Sequence, residues 1–471
     1  MKTVNSVYID GKFETPHGTE KAAIISPLDR QPIASIVYAD QTDTEKAIQA
    51  ASKALVTYSK TTATQRSQYL IAIHDEILKR IDDLIDVTIR EYGAPRERAK
   101  WANLIAATTF ADQAKVLGTY AFTTTVNEST VIREAIGVAA LFTPWNATAG
   151  AIALKVAAAL AAGCTIVLKP SEFCPWQAEI IMECIDAAGL PAGVVNMVNG
   201  HGEVITEAIM QSAAVTKISF TGSTLVGKIL AKRAVDTMKR LTLELGGKSA
   251  NIILEDADLS IAIPMALQAA FMNNGQACIA GTRLFIPASK KDEIEALLIK
   301  AADTFTVGDP RQGDFKLGPL ANQRQYDRIQ QYIQIGIDEG ATLLAGGLGH
   351  PEELSAGYYA KPTVFIGVNN QMRIAREEIF GPVLSVITYN SEQEAIDMAN
   401  DSDYGLMAYI SSGNHTHATE LARELKSGRI LINTLKHDPL APFGGYKHSG
   451  IGRENGLIGL EEFLEIKTVI G

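Results

Sequence analysis

A cysteine surrounded by small and polar residues is the most reactive side chain that the sequence offers. Cys278 lies in NNGQACIAGTR, residues 273–283, after a predicted helix over 259–274. A thiolate is a strong nucleophile, but most unpaired cysteines are inert packing residues of a core. A cysteine hydrolase also needs a histidine beside its thiol, and the eight histidines lie in no such motif. This stretch alone leaves both alternatives open, a catalytic nucleophile or a small core residue.

Four predicted strands are followed by polar or flexible residues, namely Asn146 in TPWNA, Lys169 and Glu172 in LKPSE, Gly222 and Ser223 in FTGST, and Glu244 in ELGGK. The Asn146 amide could donate to a developing oxyanion, and Lys169 and Glu172 suit ribose hydroxyls. A helix that begins after FTG would offer unpaired N–H groups to a pyrophosphate. Each feature also has an ordinary structural explanation, as a capping asparagine, solvated loop charges or a helix cap.

Glu244 is a candidate general base because of its place in LTLEL, residues 241–245. The leucines share one face of the predicted strand, and Glu244 projects from the other. A carboxyl at a sheet end in apolar surroundings has a raised pKa, as a general base requires, although a solvent-facing edge residue is the alternative. The two glycines that follow indicate that another part of the chain comes close.

The hydrophobic pattern predicts an α/β fold that would position these candidates. From residue 137 short apolar strands alternate with helices, predicted at 148–162, 175–189, 202–211 and 223–237. A second α/β series runs from 249 to about 440. Ligands of parallel sheets bind at the carboxyl ends of the strands, where the candidates lie.

The regions outside the two α/β series have different patterns. Charged helices are predicted over 43–58, 62–92 and 94–116. The threonine-rich stretch 119–135 predicts an exposed two-stranded ribbon. The chain ends in FLEIKTVI, a strand that must pair with something, and the ribbon is a candidate partner.

Composition excludes several classes of function. A net charge of −10 argues against a nucleic-acid partner, and no basic run or long apolar stretch indicates a membrane. The four cysteines form no C-x-x-C pair and no histidines cluster with them, so no metal site is expected. Few cysteines and no secretory signal favour the cytoplasm.

Taken together, the motifs resemble those of the aldehyde dehydrogenase superfamily, in order and spacing, over essentially the whole chain. They are TPWN, LKPSE, FTGS, ELGGK, GQAC, EEIFGP (377–382) and PFGGYKHSGIGRE (442–454). The resemblance implies an aldehyde dehydrogenase-like α/β fold with a variant Rossmann cofactor domain, which lacks G-x-G-x-x-G. It also implies an α/β catalytic domain and a small β oligomerisation element.

The resemblance implies the catalytic roles. Cys278 would attack the aldehyde to form a thiohemiacetal and, after hydride transfer, a thioester. Asn146, with the backbone N–H of Cys278, would form the oxyanion hole, and Glu244 would activate the hydrolytic water. Lys155 and Glu454 would relay the proton away.

The implied cofactor is NAD. Lys169 and Glu172 would hold the adenosine ribose. Other matched positions would line the dinucleotide, namely Trp145, Gly202, Gly222, Ser223 and Leu245, with Glu378 and Phe380 at the nicotinamide ribose. A carboxylate on the ribose hydroxyls repels a 2′-phosphate, so NAD is expected over NADP.

The substrate would be a small-molecule aldehyde, in a pocket lined by Ala147, Ala277, Ile279, His437 and Phe443. This set is less aromatic than in many relatives, which predicts an open tunnel. No arginine occupies a matched pocket position, so a clamp for a substrate carboxylate has little support.

The implied domains are residues 1–118 with 135–246 for NAD and 247–440 for catalysis. Residues 119–134 with 462–471 would form the oligomerisation element, in which a subunit partner meets the tail strand of a homodimer or homotetramer. Two alternatives remain. One is an acylating semialdehyde dehydrogenase that passes the thioester to coenzyme A, which Glu244 argues against. The other is an inactive binding protein on the same scaffold.

Overall fold

Strands and helices alternate from Val138 onward in the computed structural model, which describes residues 2–471. The strands are β1 (Lys2–Val4), β2 (Val7–Ile9), β3 (Lys12–Glu14), β4 (Lys21–Ile25), β5 (Pro32–Val37), β6 (Thr123–Val126), β7 (Ser129–Ala135), β8 (Val138–Phe142), β9 (Thr165–Lys169), β10 (Val195–Val198), β11 (Val215–Thr221), β12 (Arg240–Glu244), β13 (Ala250–Ile253), β14 (Arg283–Pro287), β15 (Thr342–Ala345), β16 (Thr363–Ile366), β17 (Val383–Tyr389), β18 (Tyr404–Gly405), β19 (Met407–Ser411), β20 (Arg429–Ile432), β21 (Tyr446–Lys447), β22 (Gly450–Ile451) and β23 (Leu464–Val469). The α-helices are α1 (Gln41–Tyr58), α2 (Ala63–Lys79), α3 (Ile81–Tyr92), α4 (Arg96–Thr119), α5 (Thr148–Ala162), α6 (Pro175–Ala187), α7 (Gly202–Gln211), α8 (Thr224–Ala234), α9 (Leu259–Phe271), α10 (Lys291–Ala302), α11 (Gln323–Asp338), α12 (Arg373–Arg376), α13 (Glu392–Asn400), α14 (His415–Ala422) and α15 (Gly456–Glu461).

An eight-stranded sheet holds most of the candidate residues at one edge. Its order is β22-β12-β11-β8-β9-β10-β2-β3, and the five strands from β12 to β10 run parallel. Helices α2 to α6 pack on one face, and α1, α7 and α8 mainly on the other. This sandwich explains why these strands are apolar on both faces. The carboxyl ends of β8, β9, β11 and β12 therefore open onto one common edge.

A seven-stranded sheet is built from the second α/β series. Its order is β15-β16-β17-β14-β13-β19-β20, parallel except for β15. Two apolar clusters cover its faces, one with α11 and α13 and the other with α9 and α10. Cys278 lies in the connection from α9 to β14. The α/β fold is confirmed, whereas the division into domains stays a prediction.

The tail strand pairs inside its own chain. β23 runs antiparallel to β7 from Leu464↔Ala135 to Val469↔Thr130, and β6 completes a three-stranded sheet. The ribbon was the first candidate partner, and that expectation is confirmed. The expectation that a subunit partner also meets this strand stays a prediction, because β23 lies at the edge of the sheet and pairs with β7 on one side.

The prediction of one continuous helix over 62–92 is wrong, because α2 and α3 are separate helices that meet at Arg80. The side chain of this residue donates to Asp83 and to Glu183 of α6. The turn lets both helices lay their apolar faces on the same core. The helix predicted over 223–237 ends as α8 at Ala234, and a 3-10 turn over Val235–Thr237 follows.

Candidate active site

The loop that carries Cys278 is held in an unusual backbone conformation. Asn273, Asn274 and Gly275 have φ angles of 55°, 60° and 71°, in the left-handed region. Strained backbone of this kind persists only where the surroundings hold it. The Asn274 amide donates to the carbonyl of Pro319 at 2.9 Å, and buried Gln276 donates to the Tyr92 hydroxyl at 3.2 Å. The loop is therefore a fixed platform.

Cys278 differs from the other cysteines in its exposure. It is half-buried, whereas Cys164, Cys174 and Cys184 are buried. Burial, followed by the charges of Glu378 and Glu244, raises the pKa of the Cys278 thiol to about 12. Its own backbone N–H and that of Ile279 oppose this shift. The thiol is therefore protonated at neutral pH and needs a base for attack.

Asn146 lies against the loop that carries Cys278. Its side-chain amide donates to the carbonyl of Gln276 at 2.8 Å. The amide of Asn273 donates in return to the Asn146 carbonyl at 2.9 Å. Because an amide NH₂ carries two hydrogens, one Asn146 donor remains for a ligand.

Glu244 is buried at the end of β12, with Thr221 of β11 beside it. Neither carboxyl oxygen has a hydrogen-bond partner within residues 2–471. Burial and then the charge of Glu454 raise its pKa well above the usual range. The two glycines after Glu244 predict that another part of the chain comes close, and the Cys278 loop does so. A Cβ at position 247 would overlap the carbonyl oxygen of Cys278.

A buried polar cluster lies next to Glu244. Lys155 of α5 donates to Glu454 at 2.5 Å and to the Ser219 hydroxyl at 2.8 Å, and Ser219 donates to Glu454 at 3.2 Å. The charges of Glu454 and Lys155 act on the Glu244 pKa in opposite directions. Ser219 was missed by the sequence analysis. Its place in β11, two residues before Thr221, was the available signal.

The loop after β9 carries a carboxylate already paired with a cation. Lys169 donates to Glu172 at 2.7 Å, and side-chain exposure is 7% for Lys169 and 29% for Glu172, so the carboxylate is the more accessible partner. Burial raises the Glu172 pKa, but the charge and hydrogen bond of Lys169 outweigh it and hold the pKa below the ordinary value. His201 adds to this lowering, and Gly202 follows it as the first residue of α7.

The start of α8 lies beside β12. The Ser223 hydroxyl caps the helix by accepting from the Val226 N–H at 3.3 Å, and the Gly222 N–H donates to the Glu244 carbonyl at 3.0 Å. Leu245 is buried and packs closely against Gly227. Other first-turn N–H groups of α8 are free to face an anionic ligand.

The EEIFGP segment reaches the same edge from the other sheet. Glu378 accepts from the Gly247 N–H at 2.9 Å, and burial raises its pKa. Phe380 has a left-handed backbone with φ of 68°, and its ring packs edge-on against Trp145 at 5.4 Å. These contacts bring residues of the two sheets together beside Cys278.

The predicted pocket residues lie on three segments. Ile279 and Phe443 share an apolar cluster, and Phe443 pairs through its backbone with Glu454. Ala277 is half-buried beside the thiol, and Ala147 is exposed before α5. His437 is half-buried in a separate loop, and burial, Arg429 and Arg98 lower its pKa.

Arg98 was missed because no motif contains it. It lies in the first turn of α4, is half-buried, and donates through Nε to Asn273 at 3.3 Å. The prediction that no arginine occupies a matched pocket position stays a prediction, and Arg98 reaches Asn273 from outside those positions. The available signal was the GAPRER stretch at a predicted helix start.

Among the helices of residues 2–471, none combines the length and apolar character needed to cross a membrane. The model of the aldehyde dehydrogenase family matches residues 13–469. A 3-succinoylsemialdehyde-pyridine dehydrogenase of a Pseudomonas species is 43% identical, with 100% of this chain and 99% of that protein covered. A putative aldehyde dehydrogenase of Staphylococcus haemolyticus is 40% identical, with 100% and 99% covered.

Solved structures agree. Aldehyde dehydrogenase C of Pseudomonas syringae, a cysteine-to-alanine mutant complexed with NAD+ and octanal, has a TM-score of 0.98 at 41% identity, covering 99% of this chain and 96% of that one. The Mycobacterium tuberculosis aldehyde dehydrogenase complexed with NAD+ has a TM-score of 0.97 at 36% identity, covering 100% and 98%. The order of the motifs, the two sheets and the cysteine loop have one common explanation: this chain belongs to the aldehyde dehydrogenase family.

Proposed function

We propose that this protein oxidises an aldehyde to the carboxylic acid with NAD, through a covalent intermediate on Cys278. The observation that carries the proposal is the carboxyl of Glu244, which is buried, without a hydrogen-bond partner in the described chain, and close enough to raise the thiol pKa. A carboxyl in such surroundings suits proton transfer rather than stability. Structures of relatives complexed with NAD+ and with octanal support the cofactor and the substrate type.

The first step is the addition of Cys278 to the aldehyde. The thiol proton passes to Glu244, the Sγ–C bond forms, and the carbonyl π electrons move onto oxygen. The developing oxyanion accepts from the free N–H of the Asn146 amide and from the Cys278 backbone N–H. The product is a thiohemiacetal.

Bound NAD would supply the hydride acceptor, and loss of the hydride from the former aldehyde carbon would leave a thioester on Cys278. The proton that Glu244 took from the thiol first moves to the Lys155–Glu454 pair, and Glu244, ionised again, takes a proton from water as the water oxygen attacks the thioester carbon. The C–S bond breaks with its electrons on sulfur, and the carboxylic acid departs. The sulfur regains its proton from Glu244, and the Lys155–Glu454 pair, which is buried next to Glu244, passes on the one proton released per turnover.

The chain has groups that fit NAD. Glu172 would accept from the adenosine ribose hydroxyls, and the first turn of α8 would donate to the pyrophosphate. Glu378, fixed by the Gly247 N–H, would accept from the nicotinamide ribose. Because the lowered pKa keeps Glu172 ionised, a 2′-phosphate would meet a negative charge, which favours NAD over NADP.

Two alternatives make different predictions. An acylating enzyme would need coenzyme A and release an acyl thioester, whereas the proposed enzyme releases free acid whether or not coenzyme A is added. An inactive binding protein would bind NAD and form no NADH. The buried Glu244 supports hydrolysis over both.

The deciding experiment measures NADH absorbance over a panel of aldehydes, with NAD and NADP in parallel, for the wild type and Cys278→Ala. We expect Cys278→Ala to lose NADH formation and to retain NAD binding, which is measured by isothermal titration calorimetry. Cys184→Ala is the matched control and retains activity. Full turnover by Cys278→Ala would overturn the mechanism.

We also propose a homo-oligomer that uses the sheet of β23, β7 and β6. Exposed apolar side chains on its last strand and the following residue support this, with Ile466 at 63% and Ile470 at 81% exposure. Apolar residues grouped on one exposed element mark contact surfaces. Light scattering of purified protein tests the proposal, and a monomer that persists at high concentration would contradict it.

A cytoplasmic location is the remaining proposal. The four unpaired cysteines, three of them buried, suit a reducing compartment. Cell fractionation tests it.

A further inference from the structure

Arg98 lies between the nucleophile loop and the loop of His437. Its Nε donates to Asn273, whose amide donates to the Asn146 carbonyl. The guanidinium is thus two hydrogen bonds away from the residue assigned to the oxyanion hole. Its charge also contributes to the lowered pKa of His437. Arg98 therefore lies beside the loop that carries Cys278 and near enough to His437 for its charge to act on that ring.

The hydrogen-bonding capacity of Arg98 is largely unused. A guanidinium has five N–H donors, and within residues 2–471 only the Nε–H of Arg98 has an acceptor, while no carboxylate lies within ion-pair distance. Arg429, the neighbouring guanidinium, differs: it donates to the carbonyls of Asp438, Ala441 and Pro442. Arg429 is a structural residue, and Arg98 has both terminal nitrogens available.

The surroundings of Arg98 fix its orientation. The guanidinium carbon lies 4.4 Å from the ring centroid of Trp101, one helical turn further along α4. Stacking occupies one face of the planar group and leaves the edge with the N–H donors open. Burial lowers the Arg98 pKa, and Tyr92 only partly opposes this shift. Keeping the buried guanidinium charged therefore costs free energy, which an anion paired with it would offset.

We propose that Arg98 binds a carboxylate at the far end of the substrate, so that the preferred substrates are aldehydes with an ω-carboxylate. The two terminal nitrogens would donate to the two carboxylate oxygens while the aldehyde carbon meets Cys278. A purely structural Arg98 would be expected to form several hydrogen bonds to the protein. The guanidinium instead forms one, from Nε to Asn273 at 3.3 Å. This inference rests on the proposed function.

The test compares two substrate sets of equal chain length, succinic and glutaric semialdehyde against butanal and pentanal. The variants are Arg98→Met, Arg98→Lys, and Arg96→Met as matched control, since Arg96 is exposed two residues earlier in the same helix. Each variant is assayed for NADH formation, with KM and kcat determined separately.

For Arg98→Met we expect kcat/KM for the semialdehydes to fall by about 10- to 100-fold, mainly through KM, because a charge-assisted pair is lost. The values for butanal and pentanal should fall much less, because these substrates have no carboxylate to pair with Arg98. Arg98→Lys should show a smaller loss confined to the semialdehydes, because the charge remains without the planar fork. Arg96→Met should match the wild type for all four.

A salt series gives an independent readout. For the wild type, the KM of the semialdehydes should rise with ionic strength, whereas that of the alkanals should not. If Arg98→Met does not fold, the salt series and Arg98→Lys decide whether Arg98 binds the substrate carboxylate. Equal losses for both substrate sets, or none for the semialdehydes, would overturn the role of Arg98. A wild type that forms no NADH from any aldehyde would instead overturn the proposed function.

Discussion

Two glutamates at the same edge of the eight-stranded sheet have opposite surroundings. Glu172 follows β9 and accepts from Lys169 at 2.7 Å, so its pKa is lowered despite burial. Glu244 ends β12, has no hydrogen-bond partner in the described chain, and has a raised pKa. The same side chain is thus held as an anion in one place and as a proton-binding group in the other.

The difference indicates how one sheet edge separates binding from chemistry. An ion-paired carboxylate is a permanent acceptor, which suits the recognition of hydroxyl groups. An unpaired buried carboxyl with a raised pKa binds a proton more readily than an ion-paired one, which suits acid–base chemistry. If this comparison holds, the two residues should respond differently to the same Glu→Gln substitution.

The largest expected effect is on turnover in Glu244→Gln. The amide cannot accept a proton, so hydrolysis of the thioester should slow by about 10²- to 10⁴-fold, the usual contribution of a general base. Acylation should also slow, because Glu244 takes the thiol proton, but water is a weaker acid than the thiol and its attack should slow more. Rapid mixing should then show a burst of NADH followed by slow turnover.

Glu293→Gln is the matched control for this measurement, because Glu293 is an exposed residue in the first turn of α10. It should show wild-type turnover. A steady-state rate of Glu244→Gln equal to that of the wild type would remove Glu244 from its role.

A smaller effect is expected from the charges next to Glu244. The charge of Glu454 raises the Glu244 pKa and that of Lys155 lowers it. Turnover should rise with pH as Glu244 ionises. In Glu454→Gln the rising limb should therefore move to lower pH, by about one unit, and in Lys155→Met to higher pH. The measurement is the midpoint of the pH–rate profile, which is separate from any change in maximal rate.

Because Lys155→Met leaves a buried carboxylate without its cation, it is expected to lose stability. The double variant Lys155→Met/Glu454→Gln removes both charges and should have a midpoint between those of the single variants. Midpoints that move in the same direction in both single variants would show that Glu244 is not the titrating group.

Much of the site could be predicted from the sequence because its residues lie at strand ends within short motifs. The alternation in LTLEL placed Glu244 opposite the leucines, and the structure has Leu243 and Leu245 in one apolar cluster and Glu244 on the other face. The glycines at 246 and 247 predicted a close approach, which Cys278 and Glu378 provide. Local periodicity carries such information.

The rest depends on contacts between distant parts of the chain. Arg98 bonds a residue 175 positions away, and Ser219 contacts Glu454 across 235 positions. The break between α2 and α3 at Arg80 is stabilised by Glu183, 103 positions away. No local pattern specifies such partners, so the arginine, the serine and the helix break were missed together.

The smallest expected effect is on stability, where the two Glu→Gln variants should differ in sign. The raised pKa of Glu244 means that the folded protein resists its ionisation, so the cost appears as pH rises above the unfolded value of 4.5. Glu244→Gln should therefore be more stable than the wild type by about 1–2 kcal/mol near pH 8 and equal to it at about pH 4. The lowered pKa of Glu172 contributes stability above 4.5 that is lost as pH falls, so Glu172→Gln should be less stable by up to about 1 kcal/mol near pH 8. Thermal midpoints of both variants, taken at one scan rate and at both pH values, check this; a decrease in both variants near pH 8 would mean that the Glu244 carboxylate is stabilised in the folded protein after all.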